Sequence, residues 1–192
     1  VMGLASYGQP NFVSKLEELI KIGQRGQFRL NLEYFDFMKG HKMFDQKWVD
    51  LLGMPTRKSN EPINQKHKDL AASLQLVLEN TILEKTHFLA EKVPSSNLCF
   101  SGGVALNCVA NGRLRREGPF LNLYVPPVPN DAGGALGAAV LAHQSIEGRF
   151  PNSDKPLNSM LGPKYKAREI REFHDSAGVS YENFKKKKKN LL

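Results

Sequence analysis

Two glycine-rich stretches carry the residue types and spacing that could do chemistry. The first is Leu98-Cys-Phe-Ser-Gly-Gly-Val-Ala-Leu-Asn-Cys-Val-Ala-Asn-Gly112, and the second is Pro129-Asn-Asp-Ala-Gly-Gly-Ala-Leu-Gly-Ala-Ala139. Each reads as a strand, a tight glycine turn and a helix, the arrangement that brings a backbone within hydrogen-bonding distance of a nucleotide. Without side chains at Gly102 and Gly103, a ligand can approach the main chain at the carboxyl end of the strand. A helix starting there points unsatisfied N–H groups at an anion. The two turns are expected side by side. Asn107, one helical turn past the first, could direct its amide at a sugar hydroxyl or phosphate, or serve as a local cap. Asn130 and Asp131 stand at the mouth of the second turn. Asp131 is either an ordinary N-cap or a hard oxygen ligand for a divalent cation.

Other chemistries lack their residues. The five histidines, His41, His67, His87, His143 and His174, never recur at three- or four-residue spacing, so none forms a local metal motif. A G-x-S-x-G elbow and a Walker-type lysine loop are both absent, which argues against serine hydrolase and P-loop chemistry. Cys99 and Cys108 are too few for a disulfide framework and read as small core hydrophobes.

The elements that must position the turns follow from periodicity. Residues 11–22 are expected to form a helix with Asn11 as N-cap and Gly23 as stop. Alternation of Phe28, Leu30, Leu32 and Tyr34 with polar residues predicts a half-buried strand. Asp45 to Leu52 reads as a short helix capped by Asp45 and ended by Gly53. Leu70, Leu74, Val77, Leu78 and Ile82 mark a long amphipathic helix over 65–92. Then come a buried strand at 97–101, a helix at 104–116, a strand at 121–125 and an alanine-rich helix at 132–146. Gly133, Gly134 and Gly137 each cost that last helix roughly 1 kcal/mol against alanine, so packing or a ligand must require them. A polar linker starts at Pro151, and 167–176 reads as a last amphipathic helix through Ile170 and Phe173. Strands alternating with helices predict an α/β fold.

Composition bounds the partners. With 192 residues and 41% hydrophobic content the chain can bury a real core. No apolar run approaches the roughly 20 residues that span a bilayer, and no secretory leader opens the sequence, so a cytoplasmic location is expected. The net charge is +8, but five of the positive charges are Lys185 to Lys189. A terminal lysine run without interleaved aromatics reads as a solvated tail and argues against a nucleic-acid partner. The sequence enters directly at Val1 and stops after the lysine run without a helix stop. A piece of something longer is therefore expected.

Five motifs, in order, resemble the NodU/CmcH carbamoyltransferases: Val1-Met-Gly-Leu-Ala-Ser-Tyr-Gly8, His67-Lys-Asp-Leu-Ala-Ala-Ser-Leu-Gln75, Ser101-Gly-Gly-Val-Ala-Leu-Asn107, Asp131-Ala-Gly-Gly-Ala-Leu-Gly137 and Leu161-Gly-Pro-Lys-Tyr165. The resemblance runs from residue 1 to about 183. It implies an actin-like ATPase domain, of which residues 1–150 would be the second half, with 151–192 the linker and the start of a YrdC-like domain. It further implies an O-carbamoyltransferase that makes carbamoyladenylate from ATP and carbamoyl phosphate and passes the carbamoyl group to the hydroxyl of a sugar or antibiotic-like acceptor. By the same likeness Gly102, Gly103, Val104, Asn107, Asn130 and Gly134 would line the nucleotide site, and Asp131 would be one ligand of an Fe(2+) ion. A cation near the carbamoyl carbonyl would stabilise the oxyanion that forms on attack by an alcohol. The family's paired metal-binding histidines match none of the five histidines here. The missing halves of the same enzyme would then be the chain's partners, and alone it would be inactive. The catalytic base is not identified by any motif. Three rival readings are a sugar kinase, a threonylcarbamoyl-transferring tRNA-modification protein and a non-catalytic nucleotide-binding fragment.

Overall fold

The computed structural model describes residues 1–24, 27–38, 40–151, 160 and 162–182. Most of the expected linker, Leu161 of the fifth motif and the Lys185 to Lys189 run lie outside the described residues. The chain divides into two compact units, Val1–Ser153 and Asp154–Leu192. In the first, α1 (Met2–Ala5) and α2 (Val13–Leu19) lead into an antiparallel hairpin of β1 (Ile20–Ile22) and β2 (Phe28–Leu30). Next come a 3-10 turn at Leu32–Tyr34, α3 (Gln46–Leu52) and the 28-residue α4 (Gln65–Lys92). The remainder is β3 (Asn97–Cys99), a 3-10 turn at Gly103–Leu106, α5 (Cys108–Glu117), β4 (Asn122–Tyr124) and α6 (Gly133–Glu147). In the second unit α7 (Ala167–Ser176) leaves Ile170 and Phe173 exposed.

Local signals explain several boundaries. Asp45 caps α3 by accepting from the Lys47 N–H, and Gly53 ends it in the left-handed conformation at φ 64°. Asn64 caps α4 by accepting from the His67 N–H at 3.2 Å, while His67 Nδ1 accepts from the Asn64 N–H at 3.1 Å, a reciprocal box that assigns this histidine a structural task.

Helix α4 serves two cores. Near its start, Val77 packs with Leu16, Leu19 and Leu52, joined by Trp48, Leu70 and Leu74. Further along, Ile82 packs with Leu98, Ala110, Leu114 and Phe120. The three- and four-residue spacing that marked the helix is thus the spacing of side chains shared between two clusters. Asp69 ties the N-terminal segment to it, accepting from the Gln9 N–H at 2.9 Å, from Gln65 Nε2 at 2.8 Å and from Asn11 Nδ2 at 3.3 Å. These donors, the Gln9 N–H first, hold its carboxyl below the usual aspartate range.

Four expectations need correction. The helix expected over 11–22 stops at Leu19, because Ile20–Ile22 pair in register with Phe28–Leu30 and their main-chain groups go to the hairpin. The strand from Phe28 is exposed throughout and ends at Leu30, since the Asn31 side chain accepts from the Glu33 N–H and starts a 3-10 turn. Cys99 and Cys108 are both exposed rather than core residues. Of β3 only Leu98 is buried, because α4 and α5 cover one face of this short strand.

Candidate functional site

The two glycine turns meet. Strands β3 and β4 are parallel, with Leu98 opposite Leu123 and Cys99 opposite Tyr124. Parallel pairing sets their carboxyl ends at the same edge, where a doubly wound sheet receives its ligands. Immediately beyond, the Gly102 N–H donates to the Pro129 carbonyl at 2.8 Å and Ser101 Oγ donates to the same oxygen at 3.1 Å. Pro129 is buried, whereas Gly102, Gly103, Asn130, Asp131 and Gly134 are exposed around this junction. Gly102 adopts φ 98°, a region that side chains other than glycine's rarely enter.

The glycines of the second turn divide into two kinds. A Cβ on Gly133 would collide with the Val128 carbonyl, so packing alone demands glycine there. At Gly134 and Gly137, and at Gly103 in the first turn, a Cβ would meet nothing within 4 Å. Internal packing does not account for these three. Asp131 uses its carbonyl, not its carboxylate, to accept from the Gly134 N–H at 3.0 Å; the cap of α6 is Ala132, without a side-chain bond. The N-cap reading of Asp131 is therefore corrected.

Asn107 is more committed than its expected direction allows. It sits between the 3-10 turn and α5 as the N-cap, its Oδ1 accepting from the Ala110 N–H at 3.1 Å. Its Nδ2 donates to Gln75 Oε1 at 2.8 Å while Gln75 Nε2 donates back to Asn107 Oδ1 at 3.1 Å. Gln75, only 6% exposed, also donates to Glu79 Oε1 at 2.7 Å. Glu79 Oε2 pairs with Arg113 at 3.2 Å, and Arg113 reaches Glu117 at 2.9 Å and Asn80 at 2.9 Å. The hydrogen bond to Glu117, then that to Glu79, raises the guanidinium further above its ordinary pKa. A polar ladder thus bolts α5 to α4 and fixes the exit of the first glycine turn. Gln75 and Arg113 were missed in the sequence, although a glutamine four residues after Ala71 and four before Glu79, inside an apolar stripe, was a signal of a buried polar pair.

Val104 and Asn107 also line a groove of about 1240 Å³ between α4, the β1–β2 hairpin and β3. The metal reading gains nothing from the geometry. Among the described residues no three His, Cys, Asp or Glu side chains gather to hold an ion, so exposed Asp131 does not by itself fit an iron site. Among the described residues no helix is long and apolar enough to cross a membrane.

Comparison with known proteins supplies the family. The carbamoyltransferase N-terminus family matches residues 1–140. An uncharacterized protein of Synechocystis sp. is 42% identical over 177 residues, 90% of this chain and 29% of its own length. The nodulation protein NolO of Bradyrhizobium diazoefficiens is 32% identical over 157 residues, 81% of this chain and 27% of its own. The nodulation protein NolNO of Sinorhizobium fredii is 37% identical over 147 residues, 76% of this chain and 20% of its own. The chain therefore spans less than a third of the length of these relatives, and it belongs to the carbamoyltransferase N-terminus family.

Proposed function

We propose that this chain is the nucleotide-handling part of an O-carbamoyltransferase with an actin-like ATPase fold. Its glycine turns cradle carbamoyladenylate, formed from ATP and carbamoyl phosphate, while a hydroxyl of a sugar or antibiotic-like acceptor attacks the carbamoyl carbon. Formation of the adenylate consumes one water and releases phosphate and pyrophosphate; in the transfer the new carbon–oxygen bond forms as the bond to the phosphate oxygen breaks, AMP departs with that electron pair and the hydroxyl proton passes to solvent. The observation that carries this reading is the joint bond of Gly102 and Ser101 to the Pro129 carbonyl, which sets both turns at one edge of a parallel sheet. In that frame Gly103, Val104 and Asn130 offer main chain to the ligand, Gly134 allows it close approach, and Asn107 holds the turn in place through Gln75. Open space at Gly103 and Gly134 is where an adenylate would come closest. No step is assigned to iron, since the described residues do not assemble a site for it. The expected place of action is the cytoplasm.

The test uses the full-length enzyme carrying this segment, supplied with ATP, carbamoyl phosphate and a panel of hydroxyl acceptors. Acceptor-dependent release of AMP and pyrophosphate supports the reading, and Gly103→Val should weaken nucleotide binding at least tenfold while circular dichroism stays unchanged. Transfer of the γ-phosphate with release of ADP would replace the carbamoyltransferase by a kinase. Unchanged nucleotide affinity in the variant would remove the glycine turns from the site.

A further inference from the structure

Asn111 stands inside α5 on terms that local structure does not justify. Asparagine forms helix less readily than alanine. Its Oδ1 is buried and meets no donor among the described residues, and a buried acceptor left unsatisfied works against folding. Among the described residues the side chain makes one hydrogen bond: Nδ2 donates to the Ala105 carbonyl at 2.7 Å. That contact fixes the orientation of the amide, since a carbonyl can only accept and the NH2 group must face it. Residues that break a local rule without a local gain are expected at functional sites.

The bond lands on the first glycine turn. Along Gly103–Leu106 the Gly102 carbonyl accepts from the Ala105 N–H at 3.0 Å, and the Val104 carbonyl accepts from the Asn107 N–H at 2.9 Å. No main-chain N–H of the described residues reaches the Ala105 carbonyl, because the backbone swings out of the turn at Asn107, with ψ 91°, before α5 begins. Asn111 reaches back over the first turn of α5 and takes up that carbonyl. Ala105 is 1% exposed, whereas Gly103 and Val104 on the same turn are exposed, and their N–H groups donate to nothing among the described residues.

We propose that Asn111 is a positioning residue for the nucleotide site: its amide pins the Ala105 carbonyl and so keeps Gly103 and Val104 in the conformation that meets the adenylate. It complements Asn107, which fastens the same turn from the α4 side through Gln75. One asparagine holds the exit of the turn and the other its buried middle. Asn111 touches no ligand itself; it acts through Ala105. This inference rests on the nucleotide reading of the glycine turns.

Asn111→Ala and Asn111→Asp separate positioning from stability. Both remove the donor; alanine also deletes the unsatisfied acceptor and favours helix, while aspartate keeps the size of the side chain. In the full-length enzyme carrying this segment, each should raise the Kd of AMP at least tenfold in equilibrium dialysis. Exchange of the Ala105 amide should quicken at least tenfold, with the Ile82 amide of α4 unchanged as the mark of a folded core. One variant that keeps the Ile82 reference is enough to decide. Faster exchange at Ala105 with unchanged AMP affinity makes the bond structural only and overturns the proposal. Weaker AMP binding without faster exchange overturns the route through Ala105. The Gly103→Val variant separates this inference from the one beneath it: if that variant loses AMP while the Asn111 variants keep it, only the role of Asn111 falls. If none of them loses AMP, the nucleotide reading falls as well.

Discussion

Replacing Asn107 by alanine perturbs two interactions whose contributions can be separated. The substitution removes the N-cap oxygen of α5, worth about 1 kcal/mol. It also strips the buried Gln75 amide of its reciprocal partner, and an unsatisfied buried polar group costs roughly 1–3 kcal/mol. Gln75 keeps its bond to Glu79, which places the second cost at the lower end, about 1–2 kcal/mol. The sum, about 2–3 kcal/mol, is a large share of the roughly 5–15 kcal/mol that holds a domain folded. At about 2–4 °C per kcal/mol for a chain of this size, the melting temperature should fall by roughly 4–12 °C. Asn107→Ser keeps a capping oxygen and should recover about 1 kcal/mol of the loss. Urea unfolding of Asn107→Ala, Gln75→Ala and the double variant completes a cycle, with an expected coupling of about 1–2 kcal/mol. Strict additivity, or a loss below about 0.5 kcal/mol in Asn107→Ala, would refute the assignment of this amide pair as the fastening of the first glycine turn.

The glycines of α6 should respond in opposite directions: Gly133→Ala drives a methyl group into the Val128 carbonyl and should lower stability by about 1–3 kcal/mol, while Gly134→Ala, facing open space, should raise it by up to about 1 kcal/mol in thermal unfolding. Loss of stability in Gly134→Ala would contradict the open geometry. Asp69 has a folded-state pKa below its unfolded value, so its contribution is complete above the unfolded pKa of about 3.9 and is lost as pH falls through the lower folded value. Exchange of the Gln9 amide followed from pH 6 to pH 2 should therefore quicken, relative to the intrinsic rate, only below about pH 4, and Asp69→Asn should flatten that dependence.

Legibility followed the locality of the cause. Helix α4 was readable to its ends, because its apolar spacing runs through it and Pro94 stands just beyond its finish, and α3 was readable from Asp45 and Gly53, which likewise act within a few residues. The pairing of Ile20–Ile22 was hidden, since the groups that pull those residues out of the helix lie on β2. Exposure of Cys99 was equally invisible: an apolar run predicts burial, but whether a face is covered depends on what packs over it. The glycine turns could be found by type and spacing, yet their junction at Pro129 needed the parallel register of β3 and β4. Asn107 looked available for a ligand because its partner Gln75 is 32 residues away.

Because α4 contributes Val77 to one apolar cluster and Ile82 to the other, the two halves of the first unit share a single beam about 42 Å long. Neither cluster can melt while the beam stays whole without stripping one side of it bare, so both should lose order in a single cooperative step. A disturbance near Gln9, which Asp69 holds, is in this way felt mechanically at the first glycine turn, which Asn107 fastens to Gln75 six residues further along the same rod.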